Sequence, residues 1–139
     1  VGLADPQGLV QALAAKQAYE FLGSPEGELA LVQSVVFLAT APKSNSLYKA
    51  FSLARKFAAG TGSVSPPKHI LNAPTELMRE QGYAAGYIYD HNTKDAFSGQ
   101  TYWPDEMARQ EFYRPSPRGY EREVEQRLQK WRSLQEGGE

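Results

Sequence analysis

From Leu29 to Ala41 the chain reads LALVQSVVFLATA, with Gln33, Ser34 and Thr40 as its only polar positions. Apolar residues therefore cover nearly the whole circumference of a helix drawn over this stretch, and such a helix is expected to be surrounded by protein. Its length and its Ser24-Pro25 opening, with Glu26 and Glu28 where the helix dipole favours negative charge, select helix over a buried strand. Upstream, Asp5-Pro6 starts an earlier helix that runs to about Leu22. Leu9, Val10, Leu13, Ala14, Ala18, Phe21 and Leu22 share its broad apolar face, and Gly23 supplies the stop. After Pro42 a third helix, from about Ser44 to Ala59, sets Leu47, Ala50, Phe51, Leu53, Ala54 and Phe57 against Asn45, Lys49, Ser52, Arg55 and Lys56. Helices joined by such short turns pack antiparallel, so residues from about 5 to 59 predict a bundle with the second helix at its centre.

The pattern changes at Gly60. GTGSVSPP, Gly60 to Pro67, is a loop by composition, and a short helix from about 74 to 81 follows, anchored by Leu77 and Met78 and stopped by Gly82. Residues from about 82 to 115 have no helical period and are rich in Tyr, Gly and Asp. They predict an irregular segment pinned by aromatic side chains, with a two-stranded ribbon around Tyr87 to Tyr89. Ser116-Pro117 then opens a terminal helix from about 117 to 135, whose narrow stripe is Tyr120, Val124, Leu128, Trp131 and Leu134. Glu123 and Arg127 form an i,i+4 pair on it worth only about 0.3–0.5 kcal/mol. The fold class is all-α: a helical bundle, an irregular aromatic-rich segment and a C-terminal amphipathic helix. Residues 1–139 read as a single domain, of a length at which roughly 68–70% of the unfolded surface is buried in a self-sufficient core.

Charge narrows the partners. Fifteen Lys and Arg against sixteen Asp and Glu leave a net charge of −1, which excludes bulk coating of nucleic acid or anionic lipid and confines any such binding to a local patch. The absence of Cys removes a disulfide frame, a thiolate metal site and a thiol nucleophile, and fits a cytosolic setting. No apolar run reaches the roughly 18–20 residues that span a bilayer, so no membrane partner is expected. The first residue is Val1, which reads as a piece of a longer protein.

Candidate chemistry is sparse. Lys43-Ser44 has the look of the end of a phosphate-binding loop, but Pro42 before it has no N–H to offer and Phe37 stands where the first Gly belongs. Ser44 is read as a helix cap and Lys43 as a solvent-facing side chain. Lys43, Lys49, Arg55 and Lys56 make the best candidate for a DNA-backbone patch and support an alternative reading as a DNA-binding module. Asp90, His91 and Asp95 support a weaker third reading as a metal-dependent hydrolase, although such Asp- and Asn-rich loops more often serve turn chemistry. Tyr87, Tyr89, Phe97, Tyr102 and Trp103 belong to an aromatic cluster with few interleaved cations. Pinning the irregular segment is its expected job, with a subunit interface as the functional alternative. No catalytic, cofactor-binding or metal-ligating residue is assigned.

Several ordered stretches carry a resemblance: ADPQ at Ala4 to Gln7, SPEGELALVQSVVFLATAPKSNSLYKAF from Ser24 to Phe51, NAPTELM at Asn72 to Met78, GYAAGYIYDH at Gly82 to His91, YWPDEM, and FYRPSPRGYE from Phe112. Together they resemble the C-terminal region of the replication-associated recombination protein A family, whose eukaryotic relatives include the Werner-helicase-interacting protein. The resemblance implies a fragment of a AAA+ ATPase of the clamp-loader and Holliday-junction-helicase clade, acting in replication-fork repair and recombination. It further implies that the ATP- and Mg-dependent machinery lies in an upstream domain, so that this fragment itself is not an enzyme and needs no cofactor. By the same resemblance the region assembles a homotetramer, the full-length protein works on DNA with single-stranded-DNA-binding protein as a possible associate, and its location is cytoplasmic, at the nucleoid.

Overall fold

A computed structural model describes residues 1–136. Among them the structure is all-helical, with no strand. The main helices are α1 (Gln7–Leu22), α2 (Glu26–Thr40), α3 (Ser46–Thr61), α4 (Glu76–Glu80) and α5 (Glu121–Glu136), with 3-10 turns at Gly2–Ala4, Lys68–Ile70 and Asp90–Asn92. The ribbon expected around Tyr87 to Tyr89 is therefore absent. Tyr87 follows three tight turns, and Gly82, Ala84 and Gly86 all have positive φ, which breaks any extended run before it can pair.

The chain divides into two compact units. One comprises Val1–Arg55 with Phe112–Arg127, the other Lys56–Glu111 with the chain from Leu128 onward, so α3 and α5 each contribute to both.

The first unit is organised by the α1–α2 hairpin. The Asp5 carboxylate accepts from the Gln7 N–H at 3.0 Å and starts α1, and Gly23 with φ +67 ends it, its N–H donating to the Tyr19 carbonyl. The two helices meet through small residues. Gly8 and Ala15 of α1 and Gly27 and Ser34 of α2 are the buried positions, and each pair is seven residues apart, two turns along one face. A Cβ on Gly27 would lie 2.7 Å from the Tyr19 Cα, and one on Gly8 3.3 Å from a Leu38 methyl, so the backbones approach too closely for larger side chains.

That seam overturns one expectation. α2 is not surrounded: Leu29 is 72% and Val35 65% exposed, and Val32 and Val36 are exposed as well. The fully buried positions of the seam are small, and most of the large apolar residues of α2 lie outside it. In the first unit the buried apolar side chains are Ala4, Ala15 and Ala41, all small, so little of its large aliphatic surface is fully buried.

The second unit is held by aromatic and polar contacts. Phe97 stacks on Trp131 of α5 with centroids 6.1 Å apart, and Phe57 of α3 meets Trp103 at 5.9 Å. Gln135 receives Arg109 and donates to the Gly99 carbonyl, while Arg132 pairs with Glu111. α4 is the short helix expected near 74–81, and the Thr75 hydroxyl caps it by accepting from the Met78 N–H.

Candidate functional site

At the base of α5 the sequence RPSPRGYE makes a corner instead of a first helical turn. The terminal helix begins at Glu121, four residues later than Ser116-Pro117 predicts, because Gly119 turns the chain with φ +53. The turn brings the Tyr120 N–H to the Ala4 carbonyl at 2.8 Å. Nothing but Gly fits there, since a Cβ would lie 2.0 Å from that same carbonyl oxygen.

Glu121 is fully buried, at 0% exposure. Its Oε1 accepts from the Tyr113 hydroxyl at 2.9 Å, and its Oε2 accepts from the Ser116 N–H at 3.0 Å and from the Ser116 hydroxyl. Burial pushes the Glu121 carboxyl up, but hydrogen bonds from Ser116, Ser44 and Tyr113 outweigh burial and hold it below its ordinary value. Burial and the adjacent carboxylate push the Tyr113 phenol well above the usual range. A carboxylate so fully engaged has no free lone pair for a substrate, and its role is to lock the corner.

APKSNS belongs to the same corner. The Ser44 hydroxyl accepts from the Ser46 N–H at 3.1 Å, where α3 begins two residues later than expected, and the Ser44 N–H donates to the Val1 carbonyl. Lys43 does not simply extend into solvent. Its ammonium donates to the Leu38 carbonyl at 2.7 Å, to Ala39 at 3.3 Å and to Ala41, closing the carbonyl end of α2. Of the other cations in the candidate DNA-backbone patch, Lys49 and Arg55 are exposed on the first unit's stretch of α3, with the Arg55 guanidinium 5.6 Å above the Phe51 ring. Lys56 is exposed on the second unit's stretch.

Asp90 is turned toward its own loop. Its carboxylate accepts from the Ser98 N–H at 2.8 Å, and hydrogen bonds from Ser98 lower its pKa. His91 is exposed with its ring 5.0 Å from that of Tyr89, and Asp95 is exposed. Among the described residues no group of three or more His, Asp or Glu side chains is placed to hold a metal ion. Of the aromatic candidates, Tyr87, Tyr89 and Tyr102 are about half exposed, whereas Phe97 and Trp103 are half-buried in the ring contacts of the second unit.

The first unit exposes many large apolar side chains. Leu9, Leu13 and Phe21 of α1, Leu29, Val32 and Val35 of α2, and Tyr48 and Phe51 of α3 are exposed, Phe21 to 89%. Exposed large apolar side chains in such number are characteristic of an interaction surface. Comparison with known proteins then places the chain. The sequence model of the family described as MgsA AAA+ ATPase C terminal matches residues 1–132.

The chain belongs to the MgsA AAA+ ATPase C-terminal family.

It is 42% identical over 137 residues to the replication-associated recombination protein A of Coxiella burnetii, covering 98% of this chain and 31% of that protein. The protein of the same name from Escherichia coli is 41% identical over 129 residues, 92% of this chain and 29% of its own length. The ATPase WRNIP1 of Dictyostelium discoideum is 38% identical over 114 residues, 81% of this chain and 13% of its own. The chain thus spans less than a third of the length of these relatives. Within the MgsA C-terminal region the residue that sequence reasoning passed over is Glu121. A Glu in the first turn of a helix reads as a dipole partner. The signal that it is something else is its place after Pro-Arg-Gly-Tyr, where a Gly-forced turn carries the side chain inward.

Proposed function

We propose that this chain is the self-assembly module of a AAA+ ATPase that works in replication-associated recombination, joining copies of the protein into a tetramer. The observation that carries the reading is the interior of the first unit: three alanines are its buried apolar side chains, while leucines, valines and phenylalanines of α1, α2 and α3 face solvent. Ordinary domains bury the large aliphatic residues preferentially, so these helices are built to be covered. In a homo-oligomer the cover is the same surface on another copy, which closes the assembly by symmetry. The corner around Glu121 supports this role, because it fixes the base of α5 to the start of the chain without using any of that apolar surface.

On this reading the fragment hydrolyses nothing, and the ATP- and Mg-dependent work lies in the rest of the full-length protein. DNA and single-stranded-DNA-binding protein are then partners of the whole protein. Sedimentation velocity of the chain at micromolar concentration tests the assembly. A tetramer is expected, and replacing Leu29 and Val35 together by Glu is expected to return monomers with unchanged helix content by circular dichroism. A monomeric parent chain, or ATP turnover by the chain alone, overturns the reading.

A further inference from the structure

The second unit contains a pocket of about 430 Å³ that lies outside the apolar surface proposed for self-assembly. The size falls among small-ligand sites, which run from roughly 300 to 1,000 Å³. The rings of His69, Tyr87 and Tyr102, the amide residue Asn72 and the aliphatic residues Ile70 and Leu71 line it. Its walls are set by backbone hydrogen bonds. The 3-10 turn at Lys68–Ile70 is tied across the pocket by the Ala84 N–H, which donates to the Lys68 carbonyl at 3.0 Å. Ala84 also lines the pocket and holds φ +60, a left-handed conformation that a non-Gly residue adopts only under constraint. Gln100 clamps the next stretch, donating to the Gly86 carbonyl at 2.6 Å and accepting from the Ile88 N–H at 2.8 Å.

The chemistry of the lining selects an occupant. His69 and Tyr102 lie nearly parallel, 29° apart with centroids at 6.1 Å, and the buried Nε2 of His69 has no hydrogen-bond partner among the described residues. None of the lining residues is Lys, Arg, Asp or Glu. A leucine or phenylalanine from a partner protein would cover the Asn72 amide, the imidazole and two phenols without returning a hydrogen bond. An acidic peptide would find no cation in the lining. A planar ring with a mixed donor and acceptor edge satisfies both faces of the problem.

We propose that this pocket binds a nucleobase, the ring stacking against the His69–Tyr102 pair and its edge hydrogen-bonding to the Asn72 amide. A base is available either on a free nucleotide or on an unpaired residue of a single strand, and stacking of this kind is tolerant of base identity. The site does not depend on the assembly surface, which lies in the other unit.

The test is a fluorescence-anisotropy titration of the chain with a fluorescein-labelled oligothymidylate and with an abasic strand of the same length. The oligothymidylate is expected to bind at least about 5-fold more tightly, with a ratio that salt leaves unchanged because stacking, not phosphate contact, makes the difference. Tyr102→Ala is expected to weaken binding by about 5- to 100-fold and Tyr102→Phe to preserve it. Asn72→Ala supplies a second loss should Tyr102→Ala fail to fold. Competition by millimolar thymidine monophosphate assigns the site to a free nucleotide, and its failure assigns it to a strand; both support the pocket. Equal binding of the abasic strand, no binding of either strand, or indifference to both Tyr102→Ala and Asn72→Ala overturns it. Sedimentation of the same variants keeps this outcome separate from that of the assembly reading.

Discussion

Where α1 crosses α2, the buried residues are Gly8, Ala15, Gly27 and Ser34, while Leu9, Leu13, Phe21, Leu29, Val32 and Val35 of the two helices are exposed. Around Glu121 the opposite holds: the interior is a charge, and every oxygen of it is met by a donor from Tyr113 or Ser116. The hairpin is rich in apolar surface and buries little of it, while the corner buries a carboxylate and finishes it completely. The difference separates two jobs within one unit. The corner specifies how the chain folds back on itself, because a buried charge tolerates no other arrangement of its donors. The hairpin supplies surface whose burial is left to something outside the unit.

Substitutions at the corner should then be more costly to the single chain than substitutions at the seam. The largest effect is expected from Gly119→Ala, whose Cβ would lie 2.0 Å from the Ala4 carbonyl oxygen and 2.9 Å from Pro42, on a backbone at φ +53. Overpacking and left-handed strain together cost about 4 kcal/mol. Urea unfolding at a fixed protein concentration measures it, the concentration being held because assembly itself adds to apparent stability. A loss under 1 kcal/mol would mean that the contact between the two segments is not rigid.

Glu121→Ala comes next, at about 3 kcal/mol, since it strands the Tyr113 and Ser116 donors. The same group gives the corner a pH signature. Its folded pKa lies below the ordinary 4.5, so its contribution is complete above that value and is lost as pH falls through the folded one. The stability gap between the parent and Glu121→Gln should therefore be constant near neutrality and shrink on the acid side of pH 4.5. A gap that grows on acidification would reverse the assignment.

At the seam, Gly27→Ala places a Cβ 2.7 Å from the Tyr19 Cα and is expected to cost about 2 kcal/mol by forcing the helices apart. It sharpens the comparison because its effect on assembly should exceed its effect on folding. Spreading the seam tilts the outward faces that carry Leu29 and Val35, so the tetramer seen by sedimentation should weaken even where the helices survive.

The helices themselves are legible in the sequence. Asp5 and Gly23 start and stop α1, Thr75 starts α4, and the Tyr120, Val124 and Leu128 stripe of α5 is half-buried as its spacing requires. What hydrophobicity does not convey is which face of α2 packs. It distinguishes apolar from polar, whereas the seam is chosen by size, and the repeat of Gly27 and Ser34 opposite Gly8 and Ala15 is the sign that residue volume, not polarity, decides. The pocket in the second unit was beyond pattern reading for a different reason. Its wall depends on Ala84 holding a left-handed backbone and on Gln100 bonding back to Gly86 across fourteen residues, and neither leaves a periodic trace.

Lys43 offers the smallest effect and bears on both halves of the comparison. Its ammonium closes the last turn of α2 through the Leu38, Ala39 and Ala41 carbonyls, and its own carbonyl accepts from the Arg118 guanidinium at 3.2 Å beside the corner. Lys43→Met keeps the stem and removes the charge, which leaves those carbonyls to water and should cost about 1 kcal/mol. As a phosphate contact the same residue would instead change the salt dependence of DNA binding, reducing its slope by about one unit. The two readings thus separate cleanly: a lower unfolding midpoint with an unchanged salt slope assigns Lys43 to the helix end, and an unchanged midpoint with a reduced slope assigns it to a DNA-facing patch with Lys49 and Arg55.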